Sequence, residues 1–260
     1  MNIIEQTKNG VTFYSAPGFS TRLGGVSGGM WSSLNLGVSR GDDPDHVREN
    51  YRRLFAAIGG SEKRLAMSNQ VHGAVVRTVT TADLHDDPYG KVGYEADGLM
   101  TDLPGVVLRV SSADCIPILF YDPVRRCVAA VHAGWRGTAA GIAVAAVDRM
   151  KNVYGSRPSD ILAAIGPGIG PDCFETHEDV PNAMTAAMGT GVLHHMKIKE
   201  NGKFAVDLKA INAMRLEQAG LEADHIAVCG ACPSCEPDKF WSHRKLGANR
   251  GSMAAAIQLL

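Results

Sequence analysis

Residues 111–138, SSADCIPILFYDPVRRCVAAVHAGWRGT, place Asp114 beside Cys115 and, past two apolar runs, gather His132, Trp135 and Arg136 between glycines. A carboxylate, a thiol, an imidazole and a guanidinium at the ends of apolar segments are groups that a reacting site uses. His72, in the turn Gln70-Val71-His72-Gly73, adds a second imidazole. His72, Cys115 and His132 together offer two nitrogens and one sulfur. A catalytic zinc ion takes three such protein ligands and keeps a fourth position open; the same set also suits copper. Without a metal, the trio is a reactive cysteine with a histidine base, as in hydrolases and transferases that use nucleophilic catalysis. Spacings of 43 and 17 residues match no zinc finger, so residue types and spacing leave both chemistries open.

Two further groups draw attention. Cys229, Cys232 and Cys235 are spaced C-x2-C-x2-C, with His243 nearby. Such a run can hold zinc or an iron–sulfur cluster, although a ferredoxin-type run needs a fourth cysteine and none follows. Gly134-Trp135-Arg136-Gly137-Thr138 leads into a predicted helix, whose N-terminal N–H groups favour an anion. Arg136 can add a bidentate contact to phosphate or carboxylate, and Arg22, in the glycine-rich stretch Ser20–Gly29, can join it as a clamp. Gly166-Pro167-Gly168-Ile169-Gly170-Pro171 has glycine spacing close to a nucleotide fingerprint, but its prolines and the lack of a following amphipathic helix argue against a dinucleotide fold.

The elements that must position these groups can be read from the apolar pattern. Ile116–Tyr121 and Cys127–Val131 are buried strands separated by the turn Asp122-Pro123, and form a hairpin or adjacent strands. Val11–Ser15, Leu65–Ser68, Val75–Thr80, Ala96–Thr101, Val106–Val110, Ile161–Ile165, Phe204–Asp207, His225–Cys229 and Met253–Leu260 also read as strands. Asp43-Pro44 caps a helix that runs to Ile58 and stops at Gly59-Gly60. Val47, Tyr51, Leu54, Phe55 and Ile58 form its apolar face, with Arg48, Arg52 and Arg53 solvated. Residues 138–153 form a helix of small residues, Glu178–Met188 another, and Asp207 caps a third that runs through Gln218 and ends at Gly220. Asp83–Gly93 is a loop. Strands and helices mix throughout, so the class is α/β or α+β with a mixed sheet.

The 260 residues fit one large domain or two small ones, 45% hydrophobic and 20% charged, with a net charge of −1. The near-neutral balance argues against a non-specific nucleic-acid binder. No apolar run approaches the roughly 18 residues that span a bilayer, and MNIIEQTKNG lacks the pattern of a signal peptide. A cytoplasmic protein with reduced cysteines is the expectation.

At these residues the chain resembles the laccase-domain (YfiH-like) family. The resemblance covers nearly the whole chain. It includes Thr21-Arg22-Leu23-Gly24-Gly25, Leu34-Asn35-Leu36-Gly37, Gln70-Val71-His72, Ala96-Asp97-Gly98-Leu99-Met100-Thr101, Ala113-Asp114-Cys115-Ile116-Pro117, His132-Ala133-Gly134-Trp135-Arg136-Gly137 and Phe240-Trp241-Ser242-His243-Arg244. The family was first described as multicopper polyphenol oxidases and is better described as zinc-containing purine nucleoside phosphorylases with adenosine deaminase activity. The resemblance implies that His72, Cys115 and His132 hold the metal, zinc or alternatively copper. It implies one domain over residues 1–260 with a layered α+β (mixed α/β) sandwich fold, similar in core to the deamidase domain of cytotoxic necrotising toxins. The substrates implied are purine nucleosides (adenosine, inosine, guanosine, methylthioadenosine) and inorganic phosphate. No nucleic-acid or membrane partner is expected, and monomer and homodimer are both open. The text Gly247-Ala248-Asn249-Arg250-Gly251-Ser252 departs from the family's glycine–arginine pair before the last strand, so Arg250 is not carried over.

On this reading, phosphate attacks C1′ and releases the base. Arg22, Asn35 and Arg136 hold phosphate or the sugar end; Cys115, Asp114 and His132 are the catalytic candidates, Asp114 as a proton shuttle. Two alternatives share the same residues: a cysteine-dependent amidohydrolase acting on peptidoglycan precursors, and a copper-dependent polyphenol oxidase. The oxidase would need around ten histidines and cysteines in paired motifs, whereas three convergent candidates exist.

Overall fold

A computed structural model describes residues 3–15 and 18–260. Its centre is the antiparallel pair Ile116–Asp122 and Cys127–Ala133, a hairpin in which His132 lies opposite Pro117 and Ala133 opposite Ile116. Both strands are buried almost throughout. Alternation along a strand sends neighbouring side chains to opposite faces, and here both faces are covered. Val128 and Ala130 pack with Leu119, Leu99, Val110, Ala255 and Ile257 in one apolar cluster. Cys127, Ala129 and Val131 pack with Ile118, Phe120, Met150 and Ile211 in another. A strand dry on both sides reads as a continuous apolar run, which is why these segments were legible.

The hairpin lies inside a mixed sheet of six strands in the order Ile226–Val228, Leu162–Ile165, Ile116–Asp122, Cys127–Ala133, Gly98–Thr101, Val76–Thr78. The two end pairs are parallel and the inner pairs antiparallel. A second sheet of seven strands runs Ile4–Lys8, Val11–Ser15, Phe19–Ser20, Met253–Gln258, Val107–Ser112, Leu65–Ala66, Leu84–His85. Ala255 and Ile257 of the second sheet face the first across the shared cluster, whereas Ala254 and Ala256 face the helix Pro44–Ile58. Helices Ile142–Tyr154 and Leu208–Gln218 cover the far side of the first sheet. The order is helix, sheet, sheet, helices, a mixed α/β sandwich. A small third sheet joins Glu175–Thr176, Phe204–Val206 and Met196–Ile198.

Several expectations need correction. The helix expected over 138–153 is two helices, Trp135–Ala139 and Ile142–Tyr154, because Gly141 at φ 80° leaves the helical region. The polar stretch Asp83–Gly93 contributes the short edge strand Leu84–His85, and Ile4–Lys8 is an edge strand that the sequence pattern did not mark. The helix capped by Asp207 runs to Gln218 as expected, with Ala219 as its C-cap and Gly220 turning the chain away at φ 97°. Pro44–Ile58 forms as expected, capped by the Asp43 side chain and stopped by Gly59 at φ 80°.

That helix also buries an asparagine. Asn50 Oδ1 accepts from Val26 N–H at 2.8 Å, and its amide donates to Ser27 Oγ at 2.8 Å and to the Asn35 carbonyl at 2.9 Å. The side chain fastens the glycine-rich stretch to the helix. Asn50→Ala strands buried backbone groups at about 1–3 kcal/mol each. A loss of about 2–4 kcal/mol in urea unfolding is expected, and a loss under about 1 kcal/mol would show that other contacts hold the loop.

Candidate active site

The open end of the central hairpin presents Cys115 just before one strand and His132 near the end of the other. Asp97 immediately precedes the neighbouring strand Gly98–Thr101, and the His132 N–H bonds its carbonyl at 2.7 Å. His72 arrives from the loop after Leu65–Ala66. Gln70 pins that loop to the other sheet, accepting from Ser111 N–H at 2.7 Å and donating to the Ser111 carbonyl at 2.9 Å. Ligand atoms of His72, Cys115 and His132 lie within 4.8 Å of one another. The two imidazoles meet edge to face at 4.9 Å between ring centres. A side chain at Gly134 would sit 2.8 Å from His72 Cδ2 and 3.2 Å from Cys115 Sγ, so the glycine of the His-Ala-Gly-Trp text keeps this space clear.

Asp97 is the residue that sequence reasoning missed. It is fully buried. Its Oδ1 accepts from His72 N–H at 3.0 Å and faces His132 Nδ1 at 2.8 Å. Its Oδ2 accepts from Val71 N–H at 3.0 Å and Gly73 N–H at 2.7 Å. Burial opposes its ionisation, but His132 and these N–H groups outweigh it and hold the carboxyl below its ordinary range. An ionised carboxylate can only accept, so Nδ1 donates its proton to Asp97 and Nε2 is the ring nitrogen left to face Cys115. The signal was present as an aspartate in Ala-Asp-Gly, but only the fold shows what it touches.

The thiol and imidazole respond to each other. Burial pushes the Cys115 thiol up, yet hydrogen bonds and charge from His132 and His72 bring it down to about 6. Burial pushes His132 down, and Asp97 and Cys115 raise it to about 9. A thiolate beside two imidazoles, one braced by a carboxylate, fits a zinc ion in both donor set and outer support.

Two cavities meet at this trio. One, about 370 Å³, is walled by Trp135, Ile169, Phe174 and Leu208, with Asp114 and Arg244 at its edge. The other, about 430 Å³, is walled by Ser68, Asn69, Gln70, Ser111 and Ser112. His72, Cys115, Arg40 and Arg250 line both. Arg250, not carried over from the family text, is buried. Its Nη1 donates to the Gly251 carbonyl at 2.8 Å, and its Nε has no partner among the described residues. Burial and the charge of Arg40 lower it to about 10. Asp114 is also buried, at φ 89°. Its Oδ2 accepts from Arg244 N–H at 2.7 Å, and its Oδ1 has no partner among the described residues.

The expected arginine clamp is not assembled. The Arg22 guanidinium donates to the Ser32 carbonyl at 2.6 Å and the Pro237 carbonyl at 2.7 Å, stacked 3.7 Å over Trp241. Asn35 binds Gly37 N–H and Ser252 N–H, both at 2.9 Å, and donates to Asp42. Both are occupied in holding loops. Arg136 is exposed and lies 4.2 Å over Trp135. None of the three lines either cavity. The helix at Trp135–Ala139 is a single turn, and Thr138 is buried against the Asn212 amide at 3.1 Å. In the cysteine run, Cys232 and Cys235 gather with Cys173 instead of Cys229, and His243 turns its ring to the Gly247 carbonyl at 3.1 Å.

The family model described as "Multi-copper polyphenol oxidoreductase laccase" matches residues 16–260. A protein of Deinococcus radiodurans named purine nucleoside phosphorylase is 41% identical over 242 residues, 93% of this chain and 88% of that one. Purine nucleoside phosphorylase YlmD of Geobacillus stearothermophilus is 38% identical over 242 residues, 92% of this chain and 88% of that one. The crystal structure of YlmD from Geobacillus stearothermophilus is similar at a TM-score of 0.92 and 36% identity, over 99% of both chains.

If the trio holds the zinc ion that its donor set fits, replacing Asp97 by asparagine should weaken that binding about 10–100-fold, read by competition with a chromophoric chelator. In metal-free protein, Cys115 alkylation should follow the thiolate, falling as pH drops through about 6. His72→Ala should move that midpoint upward; an unchanged midpoint would remove His72 from the charge network.

Proposed function

From the premise that this chain belongs to the multi-copper polyphenol oxidoreductase laccase family, we propose that it is a zinc-containing purine nucleoside phosphorylase that also deaminates adenosine. Relatives named purine nucleoside phosphorylase support the activity. The observation that carries it is the meeting of Arg40 and Arg250 beside the His72–Cys115–His132 trio, between an aromatic and a polar cavity. Two neighbouring guanidiniums, one buried and with a free Nε, repel each other. A phosphate between them turns that repulsion into paired, charge-assisted hydrogen bonds.

His72, Cys115 and His132 hold the zinc. Zinc, when bound, supplies a Lewis acid for a substrate atom and lowers the pKa of a coordinated water. Arg40 and Arg250 hold phosphate for attack on C1′ of the nucleoside. Trp135 and Phe174 enclose the purine, and the serine, asparagine and glutamine groups of the other cavity meet the sugar hydroxyls. As the C–N bond breaks, negative charge grows on the base and positive charge on the sugar. Asp114, with Oδ1 free, holds or passes the proton at the base edge. Asp97 fixes the His132 tautomer and acts only through it.

The Cys115–His132–Asp97 line also has the order of a cysteine hydrolase triad, nucleophile to base to orienting acid. That observation keeps a metal-free amidohydrolase as the second reading.

Product analysis with adenosine separates the readings. Adenine and ribose 1-phosphate should form only when phosphate is present, and inosine should mark deamination. Absence of turnover of adenosine, inosine and guanosine by zinc-loaded protein would overturn the phosphorylase reading. Cys115→Ala should lose one zinc and activity together, whereas loss of activity with zinc retained would favour the cysteine nucleophile. Arg250→Ala should raise KM for phosphate at least roughly tenfold, the size of one lost charge-assisted contact, with nucleoside KM little changed.

A further inference from the structure

We propose that Cys173, Cys232 and Cys235 form a second metal site, a three-thiolate site for one zinc ion, separate from the trio at Cys115. Their sulfurs lie within 4.8 Å of one another, and Cys173 Sγ is 3.3 Å from Cys235 Sγ. Tetrahedral zinc with bonds of about 2.3 Å sets its sulfurs about 3.8 Å apart, inside the range seen here. A disulfide would need two of these sulfurs at about 2.05 Å and would leave the third without a purpose.

The local backbone has the form that such a site needs. Cys232-Pro233-Ser234-Cys235 is a C-x2-C turn, a spacing that puts two thiolates on one metal. Gly170 N–H donates to Cys232 Sγ at 3.1 Å, and Cys235 N–H closes the turn on the Cys232 carbonyl at 3.1 Å. Just ahead of the turn, the buried Lys209 ammonium holds the Cys229 carbonyl at 2.8 Å and the Ala231 carbonyl at 3.2 Å. Cys229 itself is left outside the cluster, with its thiol pushed up by burial. The three sulfurs border a separate cavity of about 820 Å³, so a fourth position is open to water.

The site would join the segment after Leu162–Ile165 to the segment before the Phe-Trp-Ser-His-Arg text. Ile169 and Phe174, on either side of the Gly170–Cys173 stretch, wall the aromatic cavity, and Arg244 Nη1 donates to the Cys173 carbonyl at 3.1 Å. The ion therefore acts as a brace for that wall.

The test uses the full chain purified from zinc-supplemented culture, with zinc counted by mass spectrometry. Wild type should hold two zinc ions, Cys115→Ala one, and Cys115→Ala with Cys232→Ser none; Cys229→Ser should keep both. Cobalt(II) chloride added to metal-stripped Cys115→Ala should give intense thiolate-to-cobalt absorption, lost with Cys232→Ser or Cys173→Ser. Circular dichroism confirms that each variant folds, and thiol titration of the wild type with and without zinc gives the same answer if a variant does not. Cys115→Ala protein that holds no zinc and shows no cobalt band would overturn the proposal. A Cys173–Cys235 disulfide in zinc-exposed protein would overturn it too. Because the cobalt readout is made without Cys115, it does not depend on the phosphorylase reading.

Discussion

One buried carboxylate sets the geometry of the candidate site. Asp97 has no contact with solvent, and an isolated charge there would cost several kcal/mol. It persists because three backbone N–H groups and one imidazole N–H converge on it. Those donors belong to two distant pieces of chain, the loop around His72 and the strand end at His132. Satisfying the charge therefore brings two imidazoles together and orients one of them. His72 itself sits at φ 62°, a conformation that costs a non-glycine residue energy, and the N–H bonds to Asp97 are what hold it there.

The sandwich explains why the chemistry lies at strand ends. The middle of the Cys127–Ala133 strand is packed by cores on both faces, and a polar side chain there would need a partner that neither core supplies. At the end of the strand the packing opens, and His132 finds Asp97 while Cys115 finds both imidazoles. The second sheet contributes to the same edge. Gln70 matches its amide to the backbone of Ser111 like an added strand residue, so the loop carrying His72 is registered on one sheet and its ring delivered to the other.

Charge is distributed around this point with little redundancy. Asp97 is committed to its donors and Asp114 has one oxygen bound by Arg244 N–H. Arg40 and Arg250 remain close enough to repel. Most other arginines are compensated: Arg22 by carbonyls, Arg48 by Asp45 and Asp87, Arg53 by Glu49. Arg250 gives one nitrogen to the Gly251 carbonyl, while its Nε has no partner among the described residues. The contrast also shows why an arginine's motif context is a poor guide to its partner, since a long side chain reaches whatever the fold sets within its radius.

Read as text, the chain determines much of its architecture. Runs such as Ile116–Asp122, dry on both faces, and the helix bounded by Asp43-Pro44 and Gly59-Gly60 are local patterns, and the structure contains them. The His72, Cys115 and His132 trio was legible by residue type, because few other side chains can ligate a metal or attack a carbonyl. The tertiary structure decided the rest. Arg22 and Asn35 turned out to hold loops, Arg250 came to the cavity, Asp97 became the support of both imidazoles, and Cys173 displaced Cys229 from the cysteine cluster. For Asp97 and the cysteine cluster the deciding partner lies far away in sequence: Asp97 is 25 residues from His72 and 35 from His132, and Cys173 is 62 from Cys235. Local sequence sets which conformations a segment prefers and which chemistry its side chains can do. Which groups meet is set by the packing of two sheets against each other, a property of the whole chain.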